Sequence, residues 1–170
     1  RRHSRARTAG RLAAKMLACT CMRRLPLLLC LGSPLCSAPL TELWSRGYSV
    51  IPAPQRVWLA DGDILLDSSW FIDPGPLAPS HIAVRTLRQD AAEFHQLSLR
   101  IGTGPAAIRL RVAPGAVATG AEPMVHRQAY RLRISDGLVD ITGNSDQGLF
   151  YGVQTLIQLI RRDPANRLSL

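Results

Sequence analysis

The stretch Gly143–Ile160, GNSDQGLFYGVQTLIQLI, decides how this chain is read. Its opening hexapeptide has the look of a glycine-rich phosphate loop, and its remainder has the look of a helix. A phosphate loop needs a lysine after its second glycine and then a serine or threonine. Here Gly148 is followed by Leu149 and Phe150, so the cation is missing. The same residues make a good helix start. Asn144 or Ser145 can cap the free amides, and Asp146 suits the positive end of the helix dipole. Beyond it, Leu149, Phe150, Val153, Leu156, Ile157 and Ile160 recur on one helical face, opposite Gln147, Gln154, Gln158 and Arg161. Gly148 and Gly152 weaken such a helix by about 1 kcal/mol each relative to alanine. They make sense where another backbone comes close. The glutamine stripe fits a polar partner surface and a solvated face equally well.

Upstream of this helix the pattern changes from period 3.6 to period 2. AIRLRVA (107–113) alternates Ile108, Leu110 and Val112 with Arg109 and Arg111. AYRLRIS (129–135) alternates Tyr130, Leu132 and Ile134 with Arg131 and Arg133. Each reads as a strand with one dry and one wet face. DGLVDITG (136–143) adds a turn at Asp136-Gly137 and a third strand through Val139 and Ile141. Earlier, a helix is expected over about 82–97, capped by Ser80, with Ala83, Leu87, Ala91 and Phe94 on its apolar face. FIDPGPLAPS (71–80) reads as a loop, and WLADGDILLD (58–67) as two short strands joined at Asp61-Gly62. Strands, helix, strands, helix is an α+β order. The expected fold is a small, mostly antiparallel sheet with two helices packed on one face.

The chain has 170 residues and a net charge of +9, which on its face suggests nucleic acid. The distribution removes that reading. Arg1, Arg2, Arg5, Arg7, Arg11, Lys15, Arg23 and Arg24 fall in the first 24 residues, which contain no acid. The rest carries 13 basic against 12 acidic residues and is nearly neutral. All four cysteines, Cys19, Cys21, Cys30 and Cys36, also precede residue 40, at spacings that match no zinc motif. Met22-Arg23-Arg24, the apolar run Leu25–Leu35 and the small residues Cys36-Ser37-Ala38 have the three parts of a secretory signal peptide. Residues 1–38 are therefore expected to be a basic upstream segment plus signal peptide, with residues 39–47 a lead-in. The run is too short to anchor the chain stably in a membrane. The implied location is outside the cytoplasm, periplasmic or secreted.

The body offers no catalytic, cofactor-binding or metal-ligating constellation. His81, His95 and His126 lack ligand spacing, and there is no nucleophile elbow and no body cysteine. Asp61, Asp63, Asp67, Asp73 and Asp136 stand at turns and strand ends, where aspartate has local uses. One candidate binding face remains: Arg109, Arg111, Arg131 and Arg133 share a sheet face if their strands are neighbours. Like charges set opposite one another need neutralising, by an anionic ligand, an acidic partner or nearby carboxylates. No aromatic residues interleave with them, so a nucleic-acid stacking platform is not indicated.

GYSVIPAPQRV (47–57) and QAYRLRISDGLVDITGNSDQGLFYGVQTLIQLI (128–160) together resemble the N-terminal domain of glycoside hydrolase family 20, the bacterial-type β-N-acetylhexosaminidases. That resemblance assigns residues 48–162 to the family's α+β domain and RRDPANRLSL to the approach to a (β/α)8 barrel, with a linker starting at 163. It implies that the chemistry belongs to the barrel, which in the family hydrolyses terminal N-acetylhexosamine. There the substrate's acetamido oxygen attacks, an aspartate orients it and a glutamate is the general acid. No residue of this chain matches those positions. The resemblance makes the chain a noncatalytic supporting domain with the barrel as its partner, inactive alone. The alternative is a stand-alone module whose arginine face takes an acidic glycan or protein.

Overall fold

Twelve elements follow one another in the computed structural model, which describes residues 42–60, 62–120 and 122–170. The basic leader, the expected signal peptide, all four cysteines and Asp61 lie outside the described residues. In chain order the elements are α1 (Glu42–Ser45), β1 (Leu65–Leu66), β2 (Phe71–Asp73), α2 (Ile82–His95), β3 (Arg100–Ile101) and β4 (Ala107–Val112). Then come α3 (Pro123–Gln128), β5 (Tyr130–Ser135), β6 (Leu138–Gly143), α4 (Asp146–Leu159), β7 (Arg161–Arg162) and β8 (Leu168–Ser169). The class is α+β.

The main sheet has five strands in the order β3-β2-β4-β6-β5. It is mostly parallel, which corrects the antiparallel expectation. β3 on β2, β2 on β4 and β4 on β6 all run parallel, and β5 alone runs antiparallel, to β6. The reason is the route of the chain. α2 carries the chain from the end of β2 back to the start of β3, the crossover that parallel neighbours require. Only β5 and β6 are joined by a tight turn, at Asp136-Gly137, where Gly137 takes φ +69°. The turn matches the sequence reading, but β6 then inserts between the two arginine strands.

Two further expectations fail nearby. Phe71–Asp73, read as part of a loop, is strand β2, in the middle of the sheet's parallel half. The hairpin expected over 58–67 does not form. Trp58 is 83% exposed, and Leu65–Leu66 pairs instead with Leu168–Ser169. A second sheet of three strands, β1-β8-β7, results. Ile64 and Leu170 exchange backbone hydrogen bonds of 3.1 and 2.9 Å beside it. Residues 163–170, expected to begin a linker, fold back here through a turn, and Leu168 and Leu170 are buried.

The helices lie against each other and in one core with the sheet. α2 buries Ala83, Val84, Leu87 and Ala91. Its cap is His81 rather than Ser80: Nδ1 accepts from the Ala83 amide at 3.2 Å. Phe94 is not on the buried face but 64% exposed. The helix stops at His95 because Gln96 turns left-handed, at φ 56°. In α4 the cap is Ser145, whose Oγ accepts from Gly148 N at 3.4 Å. Leu149, Val153, Leu156, Ile157 and Ile160 are buried as the periodicity requires, with Phe150 half-buried. A methyl group at Gly148 would meet the carbonyl oxygens of Ala129 and Arg127. The close backbone approach inferred from the glycine pair is therefore the entry to β5. Gly152 differs, since it faces the side chains of Ile141 and Tyr130.

Candidate binding face

Register fixes what the arginine face is. Across the sheet, Asp73 of β2 stands opposite Arg109 of β4, Arg109 opposite Asp140 of β6, and Asp140 opposite Arg133 of β5. The next row sets Arg111 and Arg131 on either side of Thr142. All four arginines share the face, as expected, but their strands are not neighbours. β6 supplies a carboxylate between them. Arg109 Nε donates to Asp73 Oδ2 at 3.0 Å, and Arg111 reaches Asp140 at 3.3 Å. Thr142 Oγ1 donates to the other Asp140 oxygen at 3.0 Å. The Arg109 hydrogen bond holds the Asp73 carboxyl below the usual carboxylate pKa. Partial burial opposes the shift, and the Gly75 amide adds to it.

The inner pair of arginines is thus neutralised within the sheet. The outer pair is not. Arg131 and Arg133 are exposed and make no ion pair among the described residues. At the opposite edge, Arg100 lies over the Phe71 ring at 4.5 Å.

The other titratable residues singled out in the sequence are separated and locally occupied. His81 caps α2 and meets Asp146 at 3.3 Å. His95 Nε2 lies 3.0 Å from the Ile157 carbonyl oxygen. His126 lies against Thr119 and Asn144. Asp67 accepts from the Ser69 hydroxyl and the Ser69 amide, and these bonds, the hydroxyl's first, lower its pKa. Asp63 meets Arg161 at 3.5 Å, while Asp136 lies exposed in its turn.

Three polar residues matter more than the sequence indicated. Asp140 is the counter-ion described above. Asn144 is buried and clasps the loop before β5: it accepts from Val117 N at 2.9 Å and donates to Val117 O at 2.8 Å and His126 O at 3.0 Å. Gln158 accepts from Ile51 N at 2.8 Å and donates to Ile51 O at 3.2 Å. Gln158 lies in GLFYGVQTLIQL and Ile51 in VIPAPQ. The two stretches carrying the family resemblance are therefore hydrogen-bonded to each other across 107 positions. Beside them Arg161 stacks on Tyr48 at 4.0 Å and donates to Arg46 O.

The sequence model of glycosyl hydrolase family 20, domain 2, matches residues 47–170. The chain belongs to glycosyl hydrolase family 20. A solved family 20 β-N-acetylglucosaminidase is 30% identical over 71% of this chain and 21% of its own, with a TM-score of 0.50. The family 20 β-N-acetylhexosaminidase of Streptomyces coelicolor A3(2) is 28% identical over 70% of this chain and 24% of its own, with a TM-score of 0.50. The family 20 exo-β-N-acetylglucosaminidase of Vibrio harveyi, solved with N-acetylglucosamine, is 23% identical over 71% of this chain and 17% of its own, at 0.53, and shares the fold. The chain thus spans between 17% and 24% of these structures. Comparison with curated proteins returns no match. Among the described residues no helix is long and apolar enough to cross a membrane.

Proposed function

We propose that the chain is the noncatalytic N-terminal domain of a β-N-acetylhexosaminidase, whose catalytic barrel lies outside these 170 residues. The observation that carries this reading is the domain 2 match over residues 47–170, together with solved relatives of which the alignment covers only 17% to 24%. The intact enzyme would remove terminal N-acetylhexosamine from glycans, with all bond-breaking groups on the barrel. This domain would support the barrel and do no chemistry. The pattern of Met22–Ala38 supports a location outside the cytoplasm, in the periplasm or secreted.

The surface best suited to the barrel is the outer side of the helix pair. Gln154 of α4 donates to Asp90 of α2 at 3.1 Å, which ties the helices together there. One turn further along lie Phe94 and Gln158, and Gln158 holds the largely exposed Ile51. An apolar-and-amide surface of this kind suits a mixed protein interface.

Hydrolysis of a nitrophenyl N-acetylglucosaminide tests the reading. The purified chain should give no turnover above buffer, and the adjoining reading frame should encode a barrel with an Asp-Glu pair. Turnover by the chain itself, or an adjoining frame without a barrel, would overturn it.

A further inference from the structure

The main sheet ends in a strand that is fully formed, bare on one side and charged. β5 runs six residues, Tyr130–Ser135, and among the described residues pairs with β6 alone. Which of its backbone groups face outward follows from one bond. Asn144 N donates to Ala129 O at 2.9 Å, and the β5–β6 register makes these residues direct opposites. In an antiparallel ladder every second pair exchanges hydrogen bonds. The bonded pairs are therefore Arg131–Thr142, Arg133–Asp140 and Ser135–Leu138. The amides and carbonyls of Tyr130, Leu132 and Ile134 point away from the sheet, and no hydrogen bond joins them to another described residue.

Side chains add a pattern to that row. On one face stand Arg131 and Arg133, the two arginines without counter-ions. On the other stand Leu132, half-buried, and Ile134, 38% exposed. Proteins commonly blunt an edge with charge to stop copies of themselves from pairing. That part of the logic applies here: an antiparallel second copy would set arginine against arginine. The same two charges attract a strand of the opposite sign. Asp73 and Asp140 already satisfy the inner arginines, so the unneutralised charge is concentrated at the edge.

We propose that the β5 edge is a strand-addition site for an extended acidic segment of another protein, with Asp or Glu at alternate positions and apolar residues between. The segment's backbone would pair with Tyr130, Leu132 and Ile134. Its carboxylates would meet Arg131 and Arg133, and its apolar side chains would cover Ile134. The site is separate from the helix surface assigned to the barrel and stands whether or not that assignment does.

The test uses the full chain and a short soluble peptide alternating glutamate with valine and threonine, with amide exchange and binding followed by NMR. Peptide should slow exchange at Leu132 and Ile134. The double variant R131E/R133E should bind about tenfold or more weakly, equivalent to roughly 1.4 kcal/mol. It should instead take a peptide with lysine in place of glutamate. Ile134→Pro removes one outward donor without touching the ladder to β6, as an edge strand tolerates. It too should lose binding while its remaining amide spectrum stays native. No binding would overturn the proposal. So would binding that needs the arginines yet survives Ile134→Pro and leaves the two amides unprotected. That result would indicate an anionic glycan lying across the face.

Discussion

Adjacent residues of β4 face two different solvents. Ile108 and Leu110 point into the layer between sheet and helices and are completely buried, among Val139, Ile141, Leu149 and Val153. Arg109 and Arg111 point to water and are held by Asp73 and Asp140. The covered face is stabilised by apolar area removed from water and by close packing, which is strong and insensitive to pH or salt. The open face is stabilised by half-exposed ion pairs, individually weak and partly screened. The contrast teaches that charge on this sheet contributes little to folding and so is free to serve recognition.

Truncating one residue of each kind measures the contrast directly. Leu110→Ala leaves a cavity beneath the helices and should cost about 3 kcal/mol. Arg111→Ala, its neighbour in sequence, removes one half-exposed ion pair and should cost under about 1 kcal/mol. Urea denaturation of both variants gives the two values. Comparable losses would mean that the open face is structural after all.

A close second in size is Gly148→Ala. The added methyl would strike the Ala129 carbonyl oxygen, and a backbone group cannot swing aside as a side chain can. Helix propensity favours alanine by about 1 kcal/mol. Overpacking usually costs between about 1 and 3 kcal/mol, and a clash with fixed backbone belongs at the upper end, so a net loss near 2 kcal/mol is expected after the propensity gain. Gly152→Ala meets only the Ile141 and Tyr130 side chains and should cost less. If Gly152→Ala proved the more damaging, the packing of α4 against the entry to β5 would not be the constraint described here.

Asn144→Ala probes how the edge strand is held in register. It removes the clasp on Val117 and the His126 carbonyl, leaving half-buried backbone groups without these partners. That should cost about 2 kcal/mol and accelerate amide exchange through the loop before β5 while leaving β4 protected. Uniform acceleration would show instead that the clasp supports the whole sheet.

Legibility in the sequence tracks the length of each element. β4, β5 and α4 are long enough for periodicity to appear, and their buried residues, Ile108, Leu110, Val153 and Leu156 among them, could be read directly. β2 and β3 have three and two residues. Over Phe71–Asp73 no alternation can establish itself, and the adjacent Pro74 and Gly75 pull the reading toward a loop. Strand order was harder still. The insertion of β6 between the arginine strands is a tertiary choice, so the sequence shows the four arginines while Asp140, the counter-ion of Arg111, reads as an ordinary polar alternate. Spacing assigns Phe94 to the core face, yet it lies in the last turn of α2 and is exposed. One position of the family motifs has a physical reason. The Gln158 side-chain amide pairs with the backbone N–H and C=O of Ile51, which asks for an amide at 158 and leaves the side chain at 51 unconstrained by these bonds.

The smallest effect expected concerns Asp73, the innermost carboxylate of the open face. Its folded-state pKa lies below that of the unfolded chain, chiefly because Arg109 donates to it. Such a group contributes stability that is complete above the ordinary carboxylate range and lost as pH falls through the folded-state value. Asp73→Asn keeps an oxygen for the Gly75 amide but removes the charge. Wild type should therefore exceed the variant by a few tenths of a kcal/mol near neutral pH, the size of an exposed pair. The gap should close as pH falls through and below the ordinary carboxylate range, where the wild-type carboxyl protonates. Taking the difference between the two proteins cancels every other titrating group. Added salt should shrink the gap at neutral pH by screening, and should leave the cost of Leu110→Ala unchanged or larger. A gap that persisted once the carboxyl is protonated would have to come from packing, and the two faces of the sheet would then differ less in kind than their side chains suggest.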